Sequence, residues 1–343
     1  MNCTCKNLLG IALALSTFSA WANHCIETRA GIDMGSGTTK IQVAQVDICR
    51  HQLGKVLYED QRALGFNDDL GKSGNNQLSA AMQQQGVTAL KQMVDKARTF
   101  HPQRITGVAT AVFRSAANGQ QVIDQFNQQA QIQLRIITQE QEAELGFISA
   151  KAALHDNHIK NEDLLVWDIG GGSMQMTAFR QQKGKTVTDI YQGRLASVTL
   201  KEFIISVLKN QELDKAASPN PIGSLRNTVL RYVNFYARTH VSPQIKEDAR
   251  TRRVIGIGGV HGYSVKDQLR SANKTDGSNN TYTLEDVQRV SKNQVWKGDS
   301  ELAGEYRATD VSNLLLVEGF MQALNIPQVT VVKASLIQGI LVQ

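Results

Sequence analysis

At 343 residues the chain is too long for one ordinary hydrophobic core and suits two domains. With 41% hydrophobic and 20% charged residues, it does not have the composition of a disordered protein. The net charge of +6 is spread without a Lys/Arg block, an interleaved basic and aromatic stripe or a zinc spacing, which argues against a nucleic-acid binder and leaves a modest preference for anionic ligands.

Residues 1–22 have the pattern of a secretory leader: Lys6, an apolar run over residues 8–18, and an Ala20-Trp21-Ala22 cleavage site. The run is too short for a finished membrane span, so the expectation is a soluble exported protein, periplasmic or secreted, with no membrane anchor. Cleavage leaves two cysteines, Cys25 and Cys49, a disulfide pair for an oxidising compartment. A hairpin turning at Gly37 would set Asp33 opposite Ile41 and Cys25 opposite Cys49, close enough to bridge.

The hairpin itself is Ile32-Asp33-Met34-Gly35-Ser36-Gly37-Thr38: apolar strand, acid, glycine turn, then a β-branched strand. Residues 65–74, polar and glycine-containing, read as a flexible surface loop. Apolar residues near a 3.6 period predict a helix over 78–100, and residues 105–110 a buried strand. Arg114, just beyond that strand, carries a planar fork of donors suited to phosphate oxygens. A helix over 120–131 and a strand over 134–137 follow. Thr138 then caps a helix, with Gln141 as its reciprocal partner.

The hairpin's grammar recurs 135 residues on, in Leu165-Val166-Trp167-Asp168-Ile169-Gly170-Gly171-Gly172-Ser173. Glycines with positive φ are expected to turn the chain tightly and leave N–H groups uncovered, a concavity suited to an anion. Asp33 and Asp168, at strand ends, could each hold a metal ion or a water beside it. A third glycine turn, Gly256-Ile257-Gly258-Gly259, ends another apolar run. Two acidic loops suggest two related halves facing a shared cleft. His261 reads as a loop histidine without a role. Residues 274–281 read as a mobile loop, 314–324 as a buried helix, 329–333 as the last strand and 335–341 as a closing helix.

The order of these motifs is that of actin, sugar kinases and Hsp70 ATPase domains. With Ala109-Thr110-Ala111-Val112-Phe113-Arg114-Ser115 and Ile137-Thr138-Gln139-Glu140-Gln141-Glu142-Ala143 between them, the chain resembles the exopolyphosphatase and guanosine pentaphosphate phosphatase family. The resemblance implies an α/β fold of two actin-like (ribonuclease H-like) domains with a cleft between them, divided as 23–138 and 139–343, the last helix packing back on the first. It implies hydrolysis of terminal phosphoanhydride bonds of inorganic polyphosphate or another phosphoanhydride substrate. Glu142 matches the family's catalytic base. Gly35, Ser36, Gly37, Thr38, Arg114, Gly170, Gly171, Gly172, Ser173, Gly258 and Gly259 would bind phosphate, and Asp33 and Asp168 Mg²⁺. A homodimer is compatible with the sequence.

The chain departs from the family at Gln141, in place of the first Glu of a triplet; at Glu144, in place of an Arg; at Gly37, in place of an Asn; and at Lys333, in place of an Asp. Other readings stay open: a secreted nucleoside triphosphate diphosphohydrolase, a polyphosphate-binding protein without catalysis, and, least favoured, a kinase.

Overall fold

A computed structural model describes residues 25–343, except 155, 157, 214–216, 274–279 and 303–305. The leader expected at 1–22 and most of the loop expected at 274–281 lie outside the described residues. The chain divides into two compact units, one of residues up to Glu142 together with Leu336–Gln343, the other Ala143–Ser335.

Unit 1 is built on a five-stranded sheet in the order β3-β2-β1-β4-β5. β1 (Ile26–Met34), β2 (Thr38–Asp47) and β3 (Gln52–Ala63) form an antiparallel meander, while β4 (Arg104–Ala109) and β5 (Gln133–Ile136) run parallel to β1. Helices α1 (Phe66–Gly71), α2 (Ala80–Arg98), α3 (Ala111–Ser115) and α4 (Gly119–Ala130) accompany it. Ser79 caps α2 through its hydroxyl. Phe66, Phe113 and Phe126 meet in the core, Phe66 edge-on to Phe113 with centroids 5.0 Å apart. Chain-terminal α12 (Leu336–Val342) belongs to this unit: Arg29 Nη1 donates to the Leu341 carbonyl at 2.8 Å.

Two expectations need correction here. Residues 66–71 are helical, because Phe66 is fully buried and anchors the segment, while Asp69 accepts from the Ser79 N–H and hydroxyl. The polar composition of 65–74 concealed that one aromatic anchor. The hairpin register is also shifted by one: Asp33 faces Lys40, and Ile32 faces Ile41. The loop has four residues, 35–38, so the turn centres between Ser36 and Gly37. Cys25 still bonds to Cys49. Ile48 N–H donates to the Cys25 carbonyl, and Asp47 accepts from the Cys49 and Arg50 N–H groups, turning the chain back toward Cys25.

Unit 2 has a six-stranded sheet in the order β10-β11-β9-β6-β7-β8. β6 (Leu164–Ile169), β7 (Met174–Gln182) and β8 (Lys185–Gly193) are an antiparallel meander; β9 (Arg253–Ile257) and β11 (Gln328–Val331) run parallel to β6, and β10 (Thr281–Thr283) is antiparallel to β11. Strands β8-β7-β6-β9-β11 thus repeat the connectivity of β3-β2-β1-β4-β5, so the repeat invisible in the sequence beyond its two loops exists in the sheets. The helices are α5 (Gln139–Ala153), whose first turn belongs to unit 1, α6 (Ser197–Phe203), α7 (Arg226–His240), α8 (Pro243–Thr251), α9 (Lys266–Asn273), α10 (Leu284–Gln294) and α11 (Arg307–Leu324). α11 is buried almost all round, as a central core helix must be. It carries two buried acids: Glu318 is held by Arg226, Ser291 and Gln322, and Asp310 accepts from the Ser264 hydroxyl, contacts that offset charges burial would otherwise make costly. Among the described residues no helix is long and apolar enough to cross a membrane.

Candidate functional site

In unit 1 the ends of three parallel strands converge. Thr110 N–H, after β4, donates to the Met34 carbonyl at the end of β1, and Ile137 N–H, after β5, donates to Ala109. Each strand end therefore places its next residues at one edge of the sheet, the edge where open α/β sheets bind ligands. β1 delivers Asp33, α3 after β4 delivers Arg114, and α5 after β5 delivers Glu142.

Thr138 and Gln141 form the expected reciprocal cap: Gln141 N–H donates to the Thr138 hydroxyl, and the Gln141 side-chain carbonyl accepts from Thr138 N–H. Gln141, the departure from the family triplet, is thus a capping residue. Glu142 points from this first turn to Arg114, whose Nη1 lies 2.8 Å from Glu142 Oε2 and also donates to the Ile137 carbonyl at 2.8 Å. Both side chains keep about a quarter of their surface exposed, 25% for Arg114 and 21% for Glu142, so solvent or a ligand reaches the pair. Glu144, the second departure, accepts from the Thr188 hydroxyl at 2.8 Å in unit 2.

The Asp33 carboxyl is pushed up to about 6, first by burial, with Lys40 pulling it down and the Glu142 charge adding to the rise. Lys40 had no signal of its own in the sequence; it would have been found only with the correct register. A half-buried carboxyl whose pKa is held up in this way fits a cation, and the all-oxygen donors suit Mg²⁺ better than a soft metal.

The two glycine loops share a construction. In the first, Gly35 N–H donates to the Thr38 carbonyl, while the Gly37 and Ser36 carbonyls accept from the N–H groups of Leu64 and Asn67. In the second, Gly170 N–H donates to the Ser173 carbonyl, while the Gly170 and Gly171 carbonyls accept from Ser197 and Val198. Carbonyls that would repel an anion are therefore engaged by protein donors. The expected positive φ is absent from Gly35, Gly37, Gly170, Gly171 and Gly172. A four-residue connection closes these hairpins without it. At Gly37 and Gly172 the glycine instead leaves open space, with nothing within 4 Å of where a Cβ would stand.

Gly258 is different. It has φ +84, and a Cβ there would lie 2.3 Å from Asp168 Oδ1. Gly259 has open space. β9 runs parallel to β6, so its end brings Gly258 against Asp168. Lys333, after β11, is exposed.

His261 is not a loop histidine. It is fully buried in a π-helical turn, Val260–Val265, with Nδ1 2.6 Å from the Tyr282 hydroxyl and its ring edge-on to Trp167. Burial lowers its pKa to about 3, so it is neutral. Among the described residues, the only cluster of three with metal-ligand spacing is Cys25, Asp47 and Cys49, whose sulfurs are consumed by the disulfide.

Comparison with known proteins gives a consistent result. The fold is similar to a solved Ppx/GppA family member from Aquifex aeolicus, with a TM-score of 0.72 and 15% identity over 92% of this chain and 97% of that one. It is also similar to an exopolyphosphatase from Cytophaga hutchinsonii, with a TM-score of 0.65 and 20% identity over 92% and 96%. These matches establish two actin-like domains of α/β architecture. In sequence, the chain is 26% identical over 208 residues to a guanosine-5′-triphosphate,3′-diphosphate pyrophosphatase of Vibrio atlanticus, covering 60% of this chain and 39% of that protein. It is 26% identical over 187 residues to a bifunctional 3-dehydroquinate synthase/phosphatase of Fusobacterium nucleatum, covering 53% and 27%. The chain thus spans well under half the length of these curated relatives. The family model described as the Ppx/GppA phosphatase family matches residues 46–220, half of the chain, and the chain belongs to that family.

Proposed function

We propose that the chain hydrolyses terminal phosphoanhydride bonds of inorganic polyphosphate, releasing phosphate, with Glu142 as general base. The observation that carries this reading is the grouping of Glu142, Arg114 and the raised Asp33 carboxyl at one edge of the unit 1 sheet. A perturbed carboxyl and a second carboxylate beside a phosphate-binding type of side chain are what phosphoryl transfer, largely positioning and electrostatics, requires. Arg114 turns its fork from Glu142 to a phosphate oxygen. The N–H groups of Gly35–Thr38 and Gly170–Ser173, with Gly258 and Gly259, receive the remaining phosphate oxygens. Glu142 takes a proton from water as the water oxygen attacks the terminal phosphorus, and the bond from phosphorus to the bridging oxygen breaks. Asp33 and Asp168 would hold Mg²⁺, which when bound supplies neutralisation of phosphate charge.

A guanosine 5′-triphosphate 3′-diphosphate substrate is the second reading, favoured by the likeness to the Vibrio atlanticus protein. The leader read in residues 1–22 supports a location outside the cytoplasm, where polyphosphate is the more accessible of the two; N-terminal sequencing of the exported protein checks it.

The test is phosphate release by residues 23–343 from long-chain polyphosphate, from guanosine pentaphosphate and from ATP, each with Mg²⁺ and beside Glu142→Gln. Loss of the base should lower turnover by roughly 100- to 10,000-fold with substrate still bound. Equal turnover in the variant would remove Glu142 from the reaction. Release from ATP alone would replace both readings with a nucleotide hydrolase.

A further inference from the structure

Two arginines stand side by side at the edge of unit 1 away from the Asp33 loop. β1 and β4 run parallel, and their register sets Arg29 beside Arg104 at one end and Met34 beside Ala109 at the other. Arg29 lies four residues before Asp33, about 13 Å along the strand. Like charges on neighbouring strands repel. Arg29 is accommodated: its Nε donates to Glu27 Oε2 and its Nη1 to the Leu341 carbonyl, both at 2.8 Å, and only 9% of its side chain is exposed. Arg104 has no such arrangement. Arg104 is exposed, and among the described residues it forms no ion pair with a carboxylate; partial desolvation together with Arg29 holds its pKa below the ordinary guanidinium value, Glu27 opposing.

Arg104 opens on a cavity of about 730 Å³. Its polar lining is Arg98, His101, Gln103, Arg104, Gln131 and Gln133, with no carboxylate among the lining residues. Arg98 is fixed there, Nη2 donating to the carbonyls of Ala130 and Gln131 at 2.8 and 3.2 Å and Nη1 to Asp95 at 3.2 Å. Gln103 accepts from Thr28 N–H at 2.7 Å through its side-chain oxygen, which leaves the NH₂ end of that amide as the donor still to be used. The volume is that of a small-ligand site, and its polar groups are two guanidiniums, an imidazole and three amides.

We propose that this cavity is a second anion site of the protein, binding a phosphate-class oxyanion through Arg104 and Arg98, separate from the Asp33 loop. The shared chemistry is a tetrahedral phosphate group with paired oxygens that match a guanidinium fork. The anion is either free inorganic phosphate or a phosphate unit of a short polyphosphate. It relieves the repulsion between Arg29 and Arg104. The inference stands on residues of unit 1 that take no part in the proposed hydrolysis, so it survives or fails independently of Glu142.

The experiment uses residues 23–343 carrying Glu142→Gln, to prevent turnover, with Arg104→Gln or Arg114→Gln added. Binding of inorganic phosphate and of tripolyphosphate is measured by equilibrium dialysis, and thermal unfolding with and without each. Arg104→Gln should weaken one class of binding at least tenfold and abolish its share of the ligand-induced rise in Tm. It should leave the ligand-free Tm unchanged or higher, because Arg29 loses a like-charged neighbour. Arg114→Gln should leave that class in place. Binding of phosphate itself identifies the free ion; binding of tripolyphosphate alone identifies a chain. Isotherms that coincide with and without Arg104→Gln overturn the proposal, as does loss of all binding with Arg114→Gln alone or a lowered ligand-free Tm in Arg104→Gln.

Discussion

The loop that follows Asp33 and the loop that follows Asp168 use the same local grammar: acid, four-residue glycine turn, antiparallel return strand. Their surroundings differ. Asp33 is near charges: Lys40 across the strand pair and Glu142 on α5. Asp168 is backed by a glycine so close that no other residue fits. Asp33 is tuned by the charges beside it, and Asp168 stands against a glycine that leaves no room for a side chain. The same sequence motif can thus serve two physical roles, and substitutions should separate them.

Sterics should give the largest effect on stability. In Gly258→Ala the new methyl would stand 2.3 Å from Asp168 Oδ1 and 2.7 Å from the Ile169 carbonyl, at a backbone φ of +84 that disfavours any side chain. The expected cost is about 3 kcal/mol or more in urea unfolding. An unchanged unfolding midpoint would mean that Asp168 is free to move aside, and the contrast between the loops would fail.

Asp33 should behave in the opposite sense. Its folded pKa, about 6, lies above the ordinary aspartate value of 3.8. Below pH 3.8 folded and unfolded chains are both protonated and the group costs nothing. The cost grows as pH rises from 3.8 to 6 and is complete above that. Asp33→Asn should therefore be more stable than the parent at pH 8, by up to about 3 kcal/mol, and no more stable below pH 4. Phosphate release should be lost, so stability and activity would move apart. A variant no more stable at pH 8 than at pH 4 would show that Asp33 is well compensated.

Unit 2 has its own buried titratable group, with the reverse sign. His261 has a pKa of about 3 against the ordinary histidine value of 6.5. Above pH 6.5 neither state binds the proton. As pH falls toward 3 the unfolded chain takes it up and the folded chain does not, so stability is lost at about 1.4 kcal/mol per pH unit. His261→Gln should be less stable at pH 8, having lost the contacts with Tyr282 and Trp167, yet show a flatter decline from pH 6.5 to 4.5. Parallel pH curves would remove His261 as a source of acid sensitivity.

The sequence exposed what is local. The strands ending in Asp33 and Asp168 and the Thr138–Gln141 cap follow from patterns within a few residues, and the cysteine pair, 24 residues apart, from a single hairpin. The rest depended on contacts between distant segments. Burial of Phe66 made a helix of a polar stretch. A turn of four residues shifted the hairpin by one, and so hid Lys40 behind Ile41. Gly258 was legible as a glycine but not as the neighbour of Asp168, because that contact exists only once β9 lies beside β6. His261 was misread because a histidine after a glycine turn carries no mark of the Trp167 and Tyr282 rings that enclose it.

The smallest expected effect on folding is the one most specific to the site. Gly172 has no atom within 4 Å of a would-be Cβ and no positive φ, so Gly172→Ala should change stability by less than about 0.5 kcal/mol. If the loop's N–H groups receive phosphate, the same methyl stands where the ligand approaches, and KM for polyphosphate should rise with the fold intact. Gly37→Ala, equally open, should do the same from the other unit. An increase in KM from both would mean that the loops act on the same substrate. An increase from one alone would assign phosphate binding to that loop and leave its twin as a hairpin of like sequence. Normal kinetics in both would mean that the glycines keep open a space the substrate does not enter.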